Sequence, residues 1–308
     1  MSSQIRNSIR NQSWFLKIYL TFITIIRNIF EYIARHVQVV TMKLQEFFTK
    51  HPVFTYKEFV GFFEAKESGS VRTRDSLLAY YKRNGRLLRI KRGLFVTVSP
   101  GEDPKSYPVD PFLLAAKMSA DAVLAYRTAL EFYGKAHSIH ESFSYLTDTF
   151  PRPLTFREYR FCGVRFPKRL KNEKKLFCVN SEERSGVSIH VTNLERTMVD
   201  VLDRPELGGG WEEIWRSLEG IEFFDLDQVV EYTLLLKNRT TAAKIGFFLE
   251  QHREALMVND SHLEALSNLR PRRPHYMMRT SRKPGRLLAN WNLVVPAEIL
   301  NRSWQEVL

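Results

Sequence analysis

The residues from Ser70 to Val98, SVRTRDSLLAYYKRNGRLLRIKRGLFVTV, leave this chain few folds to choose from. Ser70 is placed to cap a helix, its hydroxyl accepting from an amide one turn on. Val71, Leu78 and Tyr81 repeat at helical spacing, with Leu77 beside them. Asn84-Gly85 ends that helix, because glycine takes the left-handed cap without a Cβ penalty. Leu88 and Ile90 then alternate with Arg89 and Lys91. Arg92-Gly93 turns the chain, and Leu94, Val96 and Val98 alternate on the return. A helix, a glycine and a tight basic hairpin in that order spell a winged helix-turn-helix, with the helix suited to a major groove and the hairpin to phosphates. Eight Lys or Arg between Arg72 and Arg92 stand against one acid, Asp75. Such an excess fits a polyanion surface, although a solvated face or a protein-binding module carries the same pattern.

Upstream, Leu44, Phe47 and Phe48 suit a short helix ending at His51-Pro52. Thr55 and Glu58 form a Thr-x-x-Glu capping box for a second helix, whose Phe59, Phe62 and Phe63 face inward. Residues 1–41 differ. Trp14 to Ile33 is dense in aromatic and β-branched residues, but Lys17 and Arg27 leave only nine uncharged residues between them. A membrane span needs about 20, so none is expected. Three readings stay open for this extension: upstream sequence ahead of a true start at Met42, a peripheral membrane segment, or a helix packed on the body.

A length of 308 residues is a soft prior for two domains. Ser99 to Pro108, with three prolines and a glycine, reads as the linker. The expected organisation is therefore an extension over 1–41, a winged domain over 42–99, a linker over 100–109 and a second domain over 110–308. In that second domain Asp110-Pro111 starts a helix, and Ala122 to Tyr133 reads as another. Strands follow at Ser142–Leu146, Glu158–Cys162, Val164–Phe166, Leu176–Val179 and Val187–Val191. Thr192 and Glu195 read as a second capping box, opening a helix stopped by Pro205. Further helices are expected at WEEIWRSLEG, Leu226–Leu236, Thr241–Ala255 and His262–Leu269, then strands at Tyr276–Arg279 and Leu287–Val295. The fold class is α+β: an N-terminal winged helix-turn-helix domain and a larger mixed α/β C-terminal domain.

The formal net charge of +12 points to polyanionic partners. Base readout is expected from Arg72, Thr73, Arg74, Ser76 and Tyr80, with Arg83 on the same helix, and phosphate contact from Arg89, Lys91 and Arg92. Two further basic stretches stand out. One holds Lys168, Arg169, Lys171, Lys174 and Lys175. The other runs from Arg270 to Arg286 through Arg272, Arg273, Arg279, Arg282 and Lys283, seven cations without an acid. Both can face a protein partner or nucleic acid.

Little catalytic chemistry is visible. Two cysteines, Cys162 and Cys178, without CxxC or zinc-finger histidine spacing, exclude a disulfide scaffold and leave a reducing cytoplasm as the natural setting. No P-loop or G-x-S-x-G elbow is present, and His137 and His140 lack an obvious third metal ligand. Neither a metal nor a cofactor is expected. One alternative stays open. Asp148 with Glu173-Lys174-Lys175 gives an Asp…Glu-x-Lys order that a winged-helix-guided, metal-dependent nuclease could use.

NGRLLRIKRGLFVTV resembles the hairpin of the AbiEi-type antitoxins of abortive-infection toxin–antitoxin systems. VTNLERTMVDVLDRPELGGGWEE is similar to that family's second signature, and ANWNLVVPAEIL to its C-terminal ending. LAYRTALEFYG resembles its small-residue helix, with Thr128 where serine is usual. The resemblance spans about residues 42–300 and leaves out the extension. It implies a cytoplasmic, non-catalytic phage-defence protein whose winged domain represses its own operon at promoter DNA. The larger domain would neutralise a nucleotidyltransferase toxin from the same operon, by contact or indirectly. Within the second signature, Glu195 reads as a cap and Asp200 as a helix-face acid, with Arg196 and Arg204 as helix-spaced ion partners.

Overall fold

The computed structural model describes residues 27, 28, 31, 42–64, 71–149, 152–278 and 285–302. It is a mixed α+β structure with three sheets among those residues. Of the extension, only Arg27, Asn28 and Glu31 are described before residue 42, with Arg27 and Glu31 ion-paired one helical turn apart at 3.0 Å.

The N-terminal unit runs helix α1 (42–50), strand β1 (Val53–Thr55), α2 (Tyr56–Glu64), α3 (Val71–Arg83), then the hairpin β2 (Leu87–Lys91) and β3 (Leu94–Thr97). The capping box forms as the residues dictate: Glu58 Oε2 accepts from Thr55 N at 2.7 Å, and Thr55 Oγ1 accepts from Glu58 N at 3.3 Å. Gly85, at φ 70°, closes α3, with Arg86 N donating to Tyr81 O at 2.9 Å. The expected cap Ser70 lies outside the described residues. Strand β1 is an addition to the sequence reading; only three residues long, it pairs antiparallel with β3 and gives the order β1-β3-β2.

Both faces of this small sheet are apolar. Phe54, Leu87 and Phe95 join Phe47, Phe48, Phe59, Phe63, Leu78 and Tyr81 in one core under the helices. Val53, Leu94 and Val96 point the other way, into a core shared with Leu113, Leu124, Phe143, Phe161 and Val191 of the body. Ser99 to Pro108, the expected linker, is a series of turns held in place. Arg157 donates to the carbonyls of Tyr107 at 2.6 Å and Pro104 at 2.9 Å.

The body is built on a six-stranded sheet of order β6-β7-β5-β4-β9-β8, with β4 (Val123–Leu124) in its interior beside β5 (Ser142–Thr147). The remaining strands are β6 (Leu154–Phe156), β7 (Tyr159–Arg165), β8 (Val179–Arg184) and β9 (Val187–Thr192). One face carries α4 (Pro111–Ala116), which starts as expected with Asp110 accepting from Phe112 N and Leu113 N. The other face shares one core with α6 (Leu194–Asp203), α7 (Trp211–Glu219), α8 (Leu226–Leu236), α9 (Arg239–Gln251) and α10 (Asp260–Leu269), the last packed on α8 and α9. A three-stranded sheet, β10 (His275–Tyr276), β12 (Leu293–Pro296) and β11 (Gly285–Leu288) in spatial order, leads to α11 (Ala297–Leu300). The Trp291 ring lies against Gly246 of α9, where an added Cβ would come within 2.1 Å of it, and its Nε1 donates to Glu250 at 2.8 Å.

Several expectations fail here for physical reasons. Ala122 to Tyr133 is not one helix. Val123 and Leu124 form a strand, and only Arg127–Phe132 (α5) is helical. A strand covered on both sides has no alternation to betray it: Val123 faces one core and Leu124 the other. Leu176 to Val179 is a turn with Cys178 at φ 54°, and the strand begins at its far end. The two short strands expected between 158 and 166 are one continuous β7. Helix α6 is capped by Asn193, not by a Thr192/Glu195 box: Asn193 Oδ1 accepts from Arg196 N at 2.9 Å. Thr192 instead shares a buried 2.7 Å bond with Thr197, and Glu195 accepts from Asp225 N at 3.2 Å. Helix α9 starts at Arg239 and ends at Gln251, shifted toward the N-terminus from the expected span.

Candidate nucleic-acid interface

At 100° per residue, Arg72, Thr73, Ser76, Tyr80 and Arg83 fall within roughly one 100° sector of α3, and all five are exposed. Tyr80 is half exposed and meets Tyr81 edge-on at 5.3 Å, so one ring is anchored while the other is presented. Arg74 points away from that sector, toward the side of Leu78 and Tyr81, and is only 8% exposed. Its guanidinium meets Glu64 at 3.3 Å. The expected readout residue is thus a brace between α2 and α3, since one step along a helix turns a side chain by more than a quarter circle.

The hairpin divides its charges in the same way. Arg89 and Arg92 are exposed and line, with Lys82 of α3, a groove between helix and hairpin. Gly93, at φ 78°, makes the tip. The strand register shifts between Arg89 and Lys91. Lys91 points to the body, where its Nζ donates to Met118 O at 2.6 Å, and burial lowers its pKa. A second tie runs alongside, an ion pair between Lys117 and Glu58. Tyr56 OH donates to Asp75 at 2.9 Å, so the single acid of the basic stretch is occupied within the groove.

On the body, Lys168, Arg169, Lys171 and Lys174 are exposed, and the Lys174 ammonium stands 5.6 Å over the Phe177 ring. Lys175 is turned inward, holding both Asp148 oxygens at 2.8 Å. Arg270, Arg272, Arg273 and Arg286 are exposed, Arg270 donating to Ser267 Oγ. Arg279, Arg282 and Lys283 lie outside the described residues. Glu173 is exposed on a single 3-10 turn, Asn172–Lys174, rather than on a buried strand. Among the described residues no three His, Cys, Asp or Glu side chains are grouped to hold a metal ion.

The second signature folds inward. Arg196 is fully buried, 3.5 Å from Asp200 and donating to the carbonyls of Lys175 and Phe177 at 2.7 Å each. Tyr232 OH donates to the other Asp200 oxygen at 2.8 Å. Burial raises the Asp200 pKa to about 6 against the opposing pull of Arg196 and Tyr232. Arg204 pairs with Glu206 at 3.2 Å and stands over the Tyr126 ring. Arg196, Asp200 and Tyr232 tie α6 to α8 and to the basic loop before β8 and are buried, whereas Arg204 and Glu206 lie at the surface.

No family model and no curated protein matches this chain. Among solved structures it is similar to the crystal structure of the RV2827C protein from Mycobacterium tuberculosis, with a TM-score of 0.56 and 17% identity over 82% of this chain and 89% of that one. The two share a fold. Among the described residues no helix is long and apolar enough to cross a membrane.

Proposed function

We propose that the chain is a cytoplasmic DNA-binding regulator whose N-terminal unit is a winged helix-turn-helix and whose body acts as the antitoxin to a nucleotidyltransferase toxin from the same operon. The observation that carries the DNA reading is the shared outward aspect of Arg72, Ser76, Tyr80 and Arg83 on α3 and of Arg89 and Arg92 on the hairpin, beside a single, occupied acid. Side chains at the start of α3 would read base edges, and the hairpin arginines would hold phosphate. The order helix, strand, helix, helix, hairpin, with a β1-β3-β2 sheet, supports the winged reading. The antitoxin half rests on the resemblance of the hairpin, the α6 signature and the Trp291 ending to the AbiEi type. The inward orientation of Arg196 and Asp200 suits a neutralising role in which that signature shapes the body rather than reacting.

The test separates the two halves without cutting the chain, since Val53, Leu94 and Val96 belong to the body's own core and removing them would expose it. The full-length Arg72→Ala/Arg89→Ala/Arg92→Ala variant is expressed from a foreign promoter beside the neighbouring toxin. Growth should be rescued while the native promoter stays derepressed. Rescue that requires the three arginines would mean that protection works through repression, and the body is not the antitoxin.

A further inference from the structure

Three segments far apart in sequence meet at the start of α9 and line one pocket of about 430 Å³. Pro167 to Arg169 comes from one basic stretch and His275 from the other. The third, Lys237 to Thr240, is the two-residue joint between α8 and α9 with the first two residues of α9. Lys168, Arg169, Lys237 and Arg239 are all exposed, and none is ion-paired with an acid among the described residues. The pocket also contains Asp203, but its carboxylate accepts from Asn238 Nδ2 at 3.1 Å and Thr241 Oγ1 at 2.5 Å. The backbone of Asp203 is held from behind: the buried Lys244 ammonium donates to the carbonyls of Leu202 at 3.0 Å and Asp203 at 3.1 Å.

Polar groups that could donate are also held in place. Thr240 Oγ1 and His275 Nδ1 share a 2.7 Å bond. Lys237 is in the left-handed region at φ 49°, and the Asn238 side chain occupies the amides of Thr240 and Thr241. Charge neutralisation here would therefore come from side chains rather than from the helix end. Four cations facing one concavity repel one another, and that self-repulsion is relieved by a bound polyanion. A duplex is long and convex and is met by a flat or grooved basic face. Cations gathered around a concavity match a compact group bearing several charged oxygens.

We propose that this pocket binds a compact polyphosphate, either inorganic or as the phosphate tail of a nucleotide, independently of the α3 and hairpin surface. The full chain is titrated by calorimetry at physiological salt with inorganic pyrophosphate and, separately, with ATP. Both should bind saturably. Lys168→Ala/Arg169→Ala and Arg239→Ala should each weaken them about tenfold or more, as expected for loss of a charge-assisted contact. Arg89→Ala/Arg92→Ala should bind as wild type, which keeps this reading separate from that of the DNA surface. All the substituted side chains are exposed, and thermal melting checks that the variants remain folded. Tighter binding of ATP than of pyrophosphate would identify a nucleotide site, and equal binding a site for the phosphates alone. Absence of saturable binding by wild type, or full affinity in the pocket variants, would overturn the proposal. So would a pocket variant that loses duplex DNA while wild type ignores pyrophosphate, because the cations would then belong to the DNA footprint.

Discussion

Helices α3 and α6 both carry arginines and use them in opposite ways. On α3, Arg72 and Arg83 are exposed, and the charge has no internal purpose visible in the fold. On α6, Arg196 is fully buried, its guanidinium spent on Asp200 and on the carbonyls of Lys175 and Phe177. The difference lies in partners rather than in composition. Where a carboxylate and carbonyls converge on a guanidinium, its role is to build. Where a row of cations faces solvent beside one occupied acid, the role proposed for it is to receive a polyanion.

The largest effect should come from α6. Arg196→Ala strands a buried Asp200 and two carbonyls, and loss of one partner of a buried pair costs about 3–5 kcal/mol. Chemical denaturation should show that loss, and a near-neutral result would mean that Asp200 is protonated or hydrated in the folded chain. Next is pH. Burial raises the Asp200 pKa from 3.8 to about 6, so between those values the folded state binds more protons than the unfolded one. The contribution of Asp200 is then fully present below pH 3.8 and is lost as pH rises through about 6, some 3 kcal/mol in all. Glu58 and Glu213, both with lowered pKa values, add slopes of the opposite sign at acid pH. The wild type should therefore be compared with Asp200→Asn, which lacks the falling component. Identical pH profiles for the two would contradict the raised value.

Arg74 tests the boundary between the two kinds of arginine, because it sits on α3 but points inward to Glu64. Arg74→Ala should cost about 1–2 kcal/mol, through lost packing of its stem and a pair that is half in water. Promoter sequence preference should be unchanged. Altered base preference in that variant would return Arg74 to the readout face. Smallest in stability should be Arg89→Ala/Arg92→Ala, within about 0.5 kcal/mol of wild type, because both are exposed and Arg89 makes only a long 3.4 Å bond, to Lys91 O.

The sequence was most readable where a local rule dictates the geometry. Thr55 and Glu58 cap α2, Gly85 closes α3, and Gly93 turns the hairpin, each through atoms within a few residues. It was least readable where long-range packing decides. Val123 and Leu124 are strand because β5 and β9 flank them. Lys91 turns inward because Met118 O lies there, and Thr192 yields its capping place to Asn193 because it is bonded to Thr197. For the candidate surface, the pattern identified the charged segments but not their directions. Lys237 and Arg239, two charges flanking Asn238, are too few to stand out as a basic run. Only folding places them beside Lys168 and Arg169.

In the proposed function, the outward cations of α3 and the hairpin hold duplex phosphate. The direct measurement is affinity for the native promoter as a function of salt, by fluorescence anisotropy, for wild type and Arg89→Ala/Arg92→Ala. Wild type should show a steep salt dependence. The variant should lose about tenfold in affinity per arginine on specific and random duplexes alike, with the log–log slope lowered by about 0.9 per lost contact. Wild-type affinity and slope in the variant would contradict it.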